Sequence, residues 1–149
     1  MAHTTLSTFD QAMSLLSYRE HASKELFTKL KTRGHSEEDI SDVIERLTEM
    51  NYLNDERFAE IFVRSKISRS LGAYRILQEL SQKGITSEIA KQAISNADID
   101  WFELAKQTRV RKFGEGESKD QKEKAKQSRY LQYRGFNFEQ IKYAMESSQ

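Results

Sequence analysis

The sequence is 149 residues long, carries a net charge of +1, and is 37% apolar and 32% charged, with no cysteine and no proline. That is the length of one ordinary domain but polar for a folded one, and the missing cysteines exclude a disulfide framework and a thiolate metal site. The longest strongly apolar run, Ile61-Phe62-Val63, excludes a helical membrane span, which needs about 20 residues.

Disorder would also explain the polarity, but the 8 Phe, 6 Tyr and Trp101 argue against it. The composition suits an elongated chain of small cores in series better than one thick core. The opening Met1-Ala2-His3-Thr4-Thr5 lacks the apolar centre of a secretion signal, so a cytoplasmic location is expected. Charge is spread unevenly: −3 over residues 1–50, 0 over 51–100 and +4 over 101–149.

The first helix is expected from Thr8 as its cap, with Gln11 completing a capping box and Ala12, Leu15 and Leu16 on the apolar side. A second runs through Leu26 to Leu30 and stops in Lys31-Thr32-Arg33-Gly34-His35-Ser36. Ser36 caps a third, with Glu38 in its first turn and Ile44 closing its apolar stripe. Asn54 caps a fourth, on which Phe58, Ile61 and Phe62 fall on one face at i, i+3 and i+4. The fifth runs through Ile76 to Leu80 and stops at Gly84. Thr86 caps the sixth, with Glu88 and Ile94 repeating Glu38 and Ile44. A seventh starts near Asp100, with Asp98 and Asp100 read as capping residues, and passes Phe102, Leu104 and Ala105 towards Phe113. Gly114-Glu115-Gly116-Glu117-Ser118 is the one flexible loop. The eighth runs through Gln127 to Leu131 and stops at Gly135; Asn137 caps the ninth, with Glu139 in its first turn and Met145 at its end. Alternation is absent, so no strand is expected.

Three stops share one pattern. Gly34, Gly84 and Gly135 are 50 and 51 residues apart. Leucine stands four residues before each, a cation (Arg33, Lys83, Arg134) one before, and a capping side chain two after. The glycine fits the left-handed residue that ends a helix, and the cation faces the last carbonyls. Three matches in register mark a repeat. The fold class is therefore all-α: three tandem three-helix repeats, 1–52, 53–99 and 100–149, in an elongated, curved array.

No catalytic constellation is found. His3, His21 and His35 share no ligand spacing and read as surface residues, so no metal or cofactor is expected. Gly114-Glu115-Gly116 with Ser118-Lys119 follows a helix, and its acids would repel phosphate. No serine sits in a nucleophile elbow, so the chain is read as a non-enzyme. The remaining signal is basic. Arg64, Lys66, Arg69 and Arg75 flank the junction of the fourth and fifth helices. Arg109, Arg111 and Lys112, then Lys119, Lys122, Lys124, Lys126 and Arg129, flank the loop. This is an electrostatic footprint for an acidic protein surface or for nucleic acid.

Four segments carry a resemblance: Arg19 to Leu26; Tyr52 to Ala59, continuing to Phe62-Val63-Arg64; Gly72 to Leu80 through Lys83-Gly84-Ile85; and Lys126 to Leu131 through Arg134-Gly135-Phe136. In this order and spacing the chain resembles the RecX regulatory family, inhibitors of the RecA recombinase. The resemblance implies three tandem three-helix repeats. It also implies a protein that binds RecA–DNA filaments in their helical groove. Each unit has too few apolar residues to wrap all its neighbours, so a monomer is expected, with single- or double-stranded DNA as a further contact. The implied outcome is inhibition of ATP hydrolysis, strand exchange and co-protease activity. Tyr130 departs from an expected phenylalanine, which implies a partly exposed ring, and Ser128 from a bulkier apolar residue, which implies a looser third core. A helical protein that binds DNA in its own right is the alternative.

Overall fold

The computed structural model describes residues 6–146; Met1 to Thr5, with His3, lie outside them. Nine helices are found among the described residues, and no strand: α1 Thr8–Tyr18, α2 Ser23–Thr32, α3 Glu37–Glu49, α4 Asp55–Ser68, α5 Ala73–Gln82, α6 Ser87–Ala97, α7 Trp101–Phe113, α8 Gln121–Tyr133 and α9 Phe138–Met145. Every helix pair in extensive contact lies within one of the groups α1–α3, α4–α6 and α7–α9. The chain exposes 9734 Å², whereas a compact monomer of this mass exposes about 7,900 Å². The excess is in the sense expected of small cores in series.

The repeat is written into the backbone. Gly34, Gly84 and Gly135 hold φ of 96°, 85° and 102°. The amide after each glycine donates to the leucine carbonyl of the last turn: His35 to Leu30 at 3.2 Å, Ile85 to Leu80 at 3.0 Å, Phe136 to Leu131 at 3.2 Å. This is a Schellman stop. Ser36, Thr86 and Asn137 then accept from Asp39, Ile89 and Gln140 amides. Two more stops of the same geometry lack glycine. Asn51 (φ 62°) and Ser70 (φ 63°) end α3 and α4, with Tyr52 donating to Leu47 at 2.9 Å and Leu71 to Lys66 at 3.1 Å.

Several local expectations are corrected. The cap of α1 is Ser7, whose Oγ accepts from the Asp10 amide at 3.0 Å. Thr8 is already helical and buried, and its hydroxyl bonds His35 Nδ1 at 2.9 Å. Gln11 forms no capping box; its Oε1 bonds His35 Nε2 at 2.9 Å. On α4 the inward face is Phe58, Ala59 and Val63, while Ile61 is 43% exposed; the stripe rotates by one residue to meet α6. His21 is not on the surface but 1% exposed. Of the two acids before α7, Asp100 caps that helix, while Asp98 ends α6 in the left-handed region.

Each unit has its own core. Leu26, Leu30, Ile40 and Leu47 centre the first, Phe58, Val63, Ile76 and Leu80 the second, Leu131, Phe136, Ala105 and Ala144 the third. The third is the smallest. Where the repeat places Leu26 and Ile76, both fully buried, it has Gln127, 5% exposed, with Oε1 buried and without a partner. An unpaired buried acceptor costs about 1–3 kcal/mol. Among the described residues, Gln127 Nε2 donates only to Glu123 Oε1, at 3.3 Å. Gln127→Leu, similar in size, should therefore raise the denaturation midpoint, and a lowered midpoint would mean that the bond to Glu123 outweighs the orphaned acceptor.

The middle helices α2, α5 and α8 follow one another head to tail. At the second junction the last carbonyls of α8 meet the first amides of α5: Gly72 donates to Arg134 O at 2.7 Å and Tyr74 to Gly135 O at 3.2 Å. α5 has no side-chain cap of its own, so the next unit supplies it. At the first junction Asp55 Oδ1 accepts from the Ser23 amide (2.8 Å) and hydroxyl (3.0 Å), and a Cβ on Gly84 would meet Lys24 Cβ at 2.5 Å. α8, in the last unit, is capped by its own Asp120, as a terminal repeat must be.

Ion pairs complete the first junction. Glu25, its side chain 10% exposed, is held by Arg19 at 2.5 Å and Lys83 at 3.1 Å, and Arg57 holds Glu20 at 2.7 Å. Burial works to raise the Glu25 pKa, but the hydrogen bonds from Arg19 and Lys83 outweigh it and hold the group at about 2. Burial lowers the His21 pKa, with the Arg19 and Lys29 charges adding to it against the Arg19 carbonyl; Lys29 Nζ is 2.9 Å from Nε2. Both folded values lie below their unfolded ones, so the unfolded chain binds more protons as pH falls. Stability should decline in two stages: first as pH drops below 6.5, where unfolded histidine protonates, then from 4.5 towards 2 as Glu25 does. Denaturant titrations across this range check it; a flat profile from neutrality to pH 5 or so would contradict the His21 stage.

Candidate functional site

The basic residues singled out in the sequence fall into three physical groups. Arg109 is corrected outright: it is 4% exposed. Its Nε donates to Ala144 O at 2.6 Å and its Nη1 to Gly116 O at 3.1 Å. Its charge satisfies the end of α9 and fixes the start of the 114–120 loop. It offers no surface to a partner.

A second group is tied to the fold, Lys66 and Arg75 half-buried and Arg111 exposed. Lys66 pairs with Glu79 at 3.3 Å and Arg75 with the same carboxylate at 2.9 Å. Burial works to raise the Glu79 pKa, and the hydrogen bonds from both cations prevail and lower it. Arg75 also donates to Tyr133 O at 3.3 Å, and Arg111 to Ser70 Oγ at 2.9 Å. These residues hold α4 to α5 and the second unit to the third.

The third group is exposed: Arg64, Arg69, Lys112, Lys122, Lys126 and Arg129. The fold brings four of them together. Arg69, Lys112 and Arg111 surround a hollow of about 250 Å³ floored by Ser70, Thr108, Tyr130 and Arg134. Lys112 and Tyr130 also border an adjoining groove of about 700 Å³ that runs past Lys126 and Arg129 to Tyr133. The two depressions share a wall and make one basic surface across the junction of the second and third units. Lys112 Nζ lies 5.5 Å and the Arg134 guanidinium 5.7 Å from the Tyr130 ring centre. Tyr130 is half-buried, against Phe113 at 5.3 Å.

Arg134 is legible in the sequence only as a helix-stop cation. In the structure it is the clasp of the surface: Nε donates to Ser70 O at 3.1 Å, and Nη2 bonds Arg69 O. The sequence reading also misses the exposed aromatics at this junction: Tyr74 at 70%, Tyr133 at 74% and Phe138 at 74%. They border a groove of about 610 Å³ with Ser128 in its wall. Helical spacing puts each on an outward face, so a period count of the apolar pattern could have flagged them. No group of metal-ligating side chains is found among the described residues, and no described helix is long and apolar enough to cross a membrane.

Three family models match the chain: the first three-helix domain of RecX over residues 9–47, the second over 54–94 and the third over 98–145. Among curated relatives, "Regulatory protein RecX" of Vibrio parahaemolyticus is 46% identical over 141 residues, covering 95% of this chain and 91% of the relative. That of Halorhodospira halophila is 41% identical, covering 91% and 84%. The crystal structure of RecX from Lactobacillus salivarius superposes with a TM-score of 0.78 at 26% identity, over 92% of this chain and 91% of that one. A second crystal structure, titled regulatory protein RecX, shares the fold with a TM-score of 0.80 at 23% identity.

Proposed function

Because this chain belongs to the RecX family, we propose that it binds RecA and RecA–DNA filaments through the basic surface joining its second and third units. It inhibits the recombinase, ATPase and co-protease activities, and so modulates DNA repair, recombination and the SOS response. The observation that carries this reading is the gathering of Arg69, Lys112, Lys126 and Arg129 on one face. A filament groove lined by acidic protein surface and phosphate would attract that face and repel the acidic first unit. The relatives are named regulatory proteins, and the reading assigns no catalysis. The working form is a cytoplasmic monomer at physiological salt, divided at 1–52, 53–99 and 100–149.

The test adds the protein to RecA, single-stranded DNA and ATP and follows hydrolysis. A concentration-dependent fall supports the reading; an unchanged rate at saturating protein defeats it. The second reading, direct DNA binding, is favoured by the cations lying beside exposed aromatic rings, which can stack on bases. Retention on bare DNA equal to that on RecA-coated DNA would select it.

A further inference from the structure

Two helix faces at opposite ends of the chain remain uncovered, and they match. On α8, Lys122, Lys126 and Arg129 recur at i, i+4 and i+7, with Tyr133 at i+11; all four are exposed. On α3, Glu38, Asp42, Glu45 and Glu49 recur with the same spacing and are equally exposed. At 3.6 residues per turn each set forms a strip about 60° wide and about 16 Å long. Among the described residues, none of these charged side chains enters an ion pair. Each strip also ends in apolar surface. The α8 strip runs into the groove between Tyr74, Tyr133 and Phe138. The α3 strip runs into Met50, 50% exposed, and Tyr52, 49% exposed.

Laid parallel, the two helices place Lys122 against Glu38, Lys126 against Asp42 and Arg129 against Glu45, with Met50 and Tyr52 over the aromatic groove. We propose that the α3 face of one copy docks on the α8 face of a second, joining copies head to tail. The faces differ, so the interface is heterologous and every open assembly keeps one free face of each kind, at its two ends; association grows as open chains or closes as a ring. Exposed ion pairs are individually weak and screened by salt, so the assembly forms at low ionic strength and dissolves as salt rises. Lys126 and Arg129 also border the basic surface described above. Docking a second copy there and engaging a filament there are therefore mutually exclusive. The inference itself does not rest on the filament reading.

Sedimentation of the purified protein alone, without RecA or DNA, keeps the two readings separate. In about 20 mM salt, where charges reach furthest, the weight-average mass should rise above 17.4 kDa with concentration. It should return to that value in about 0.5 M salt. Lys126→Glu with Arg129→Glu should abolish the association, as should Asp42→Lys with Glu45→Lys, both with unchanged helical circular dichroism. An equimolar mixture of the two variants should associate again, because each reversed face then meets its complement. A wild-type mass fixed at 17.4 kDa throughout the low-salt series overturns the proposal. So do variants that associate like the wild type, or a mixture that stays monomeric.

Discussion

Gly72→Ala should destabilise the chain by about 2–3 kcal/mol and loosen the third unit from the second. Gly72 has an ordinary φ of −81°, so the effect owes nothing to backbone strain. An added Cβ would fall 2.5 Å from the Gly135 carbonyl carbon and 2.7 Å from the Phe136 nitrogen. Both are backbone atoms and cannot yield by changing rotamer. Relief requires the C-terminal turn of α8 to lift from the start of α5. That breaks the Gly72-to-Arg134 and Tyr74-to-Gly135 hydrogen bonds and leaves the first amides of α5 without their cap. Gly34→Ala is the contrasting case: φ is 96° and nothing lies within 4 Å, so only left-handed strain of about 1–2 kcal/mol is felt. Gly135→Ala combines the two, with φ of 102° and the Arg75 nitrogen 2.7 Å from the new Cβ. Denaturant titration should order them Gly135, Gly72, Gly34 from most to least damaging. A Gly72→Ala protein as stable as the wild type would show that the junction opens at no cost.

The same glycines explain what the sequence could and could not disclose. A glycine flanked by leucine, cation and cap has one local meaning, so the three main stops and the repeat were legible. Asn51 and Ser70 make the same turn without that letter, since Asn tolerates the left-handed region and Ser70 is held there by its neighbours. Gly72 was legible only as part of the family resemblance, because what makes it obligatory is a carbonyl 63 positions away. Charge patterning failed in the same way. Arg109, Arg111 and Lys112 look alike in sequence, yet Arg109 is spent on interior carbonyls while Lys112 is exposed. Burial of a guanidinium depends on where α9 and the 114–120 loop end, and no local pattern encodes that. Gln127 passes in the sequence as an ordinary residue of the eighth helix; its burial and unpaired Oε1 follow only from how the third unit packs around it.

Reversing Arg69, Lys112 and Arg129 together to Glu should weaken inhibition of RecA ATP hydrolysis by about tenfold or more, with the helical circular dichroism unchanged. Each is exposed, and among the described residues none of the three enters an ion pair. They span both hollows of the basic surface, so a filament docked there must meet at least one. Three reversals change the local charge by six, and repulsion from phosphate or carboxylate then acts on both association rate and residence time. A tenfold change is only about 1.4 kcal/mol, well within what charged groups at an interface contribute. The control must avoid residues that the structure ties down. Lys24 packs against Gly84 and Lys29 against His21, so reversing either would confound stability with binding. Lys31 pairs with Glu37 and is excluded for the same reason, whereas Arg33 and Lys91 are exposed and lie in the first unit and on α6. Their reversal should change inhibition less than threefold or so. If the basic surface also touches DNA directly, the log–log salt slope of binding to single strands should become shallower by about 0.7 for each phosphate the variant no longer neutralises. If the Arg33 and Lys91 variant is as defective as the other, the charge distribution carries no functional information, and the filament must be met by some other face.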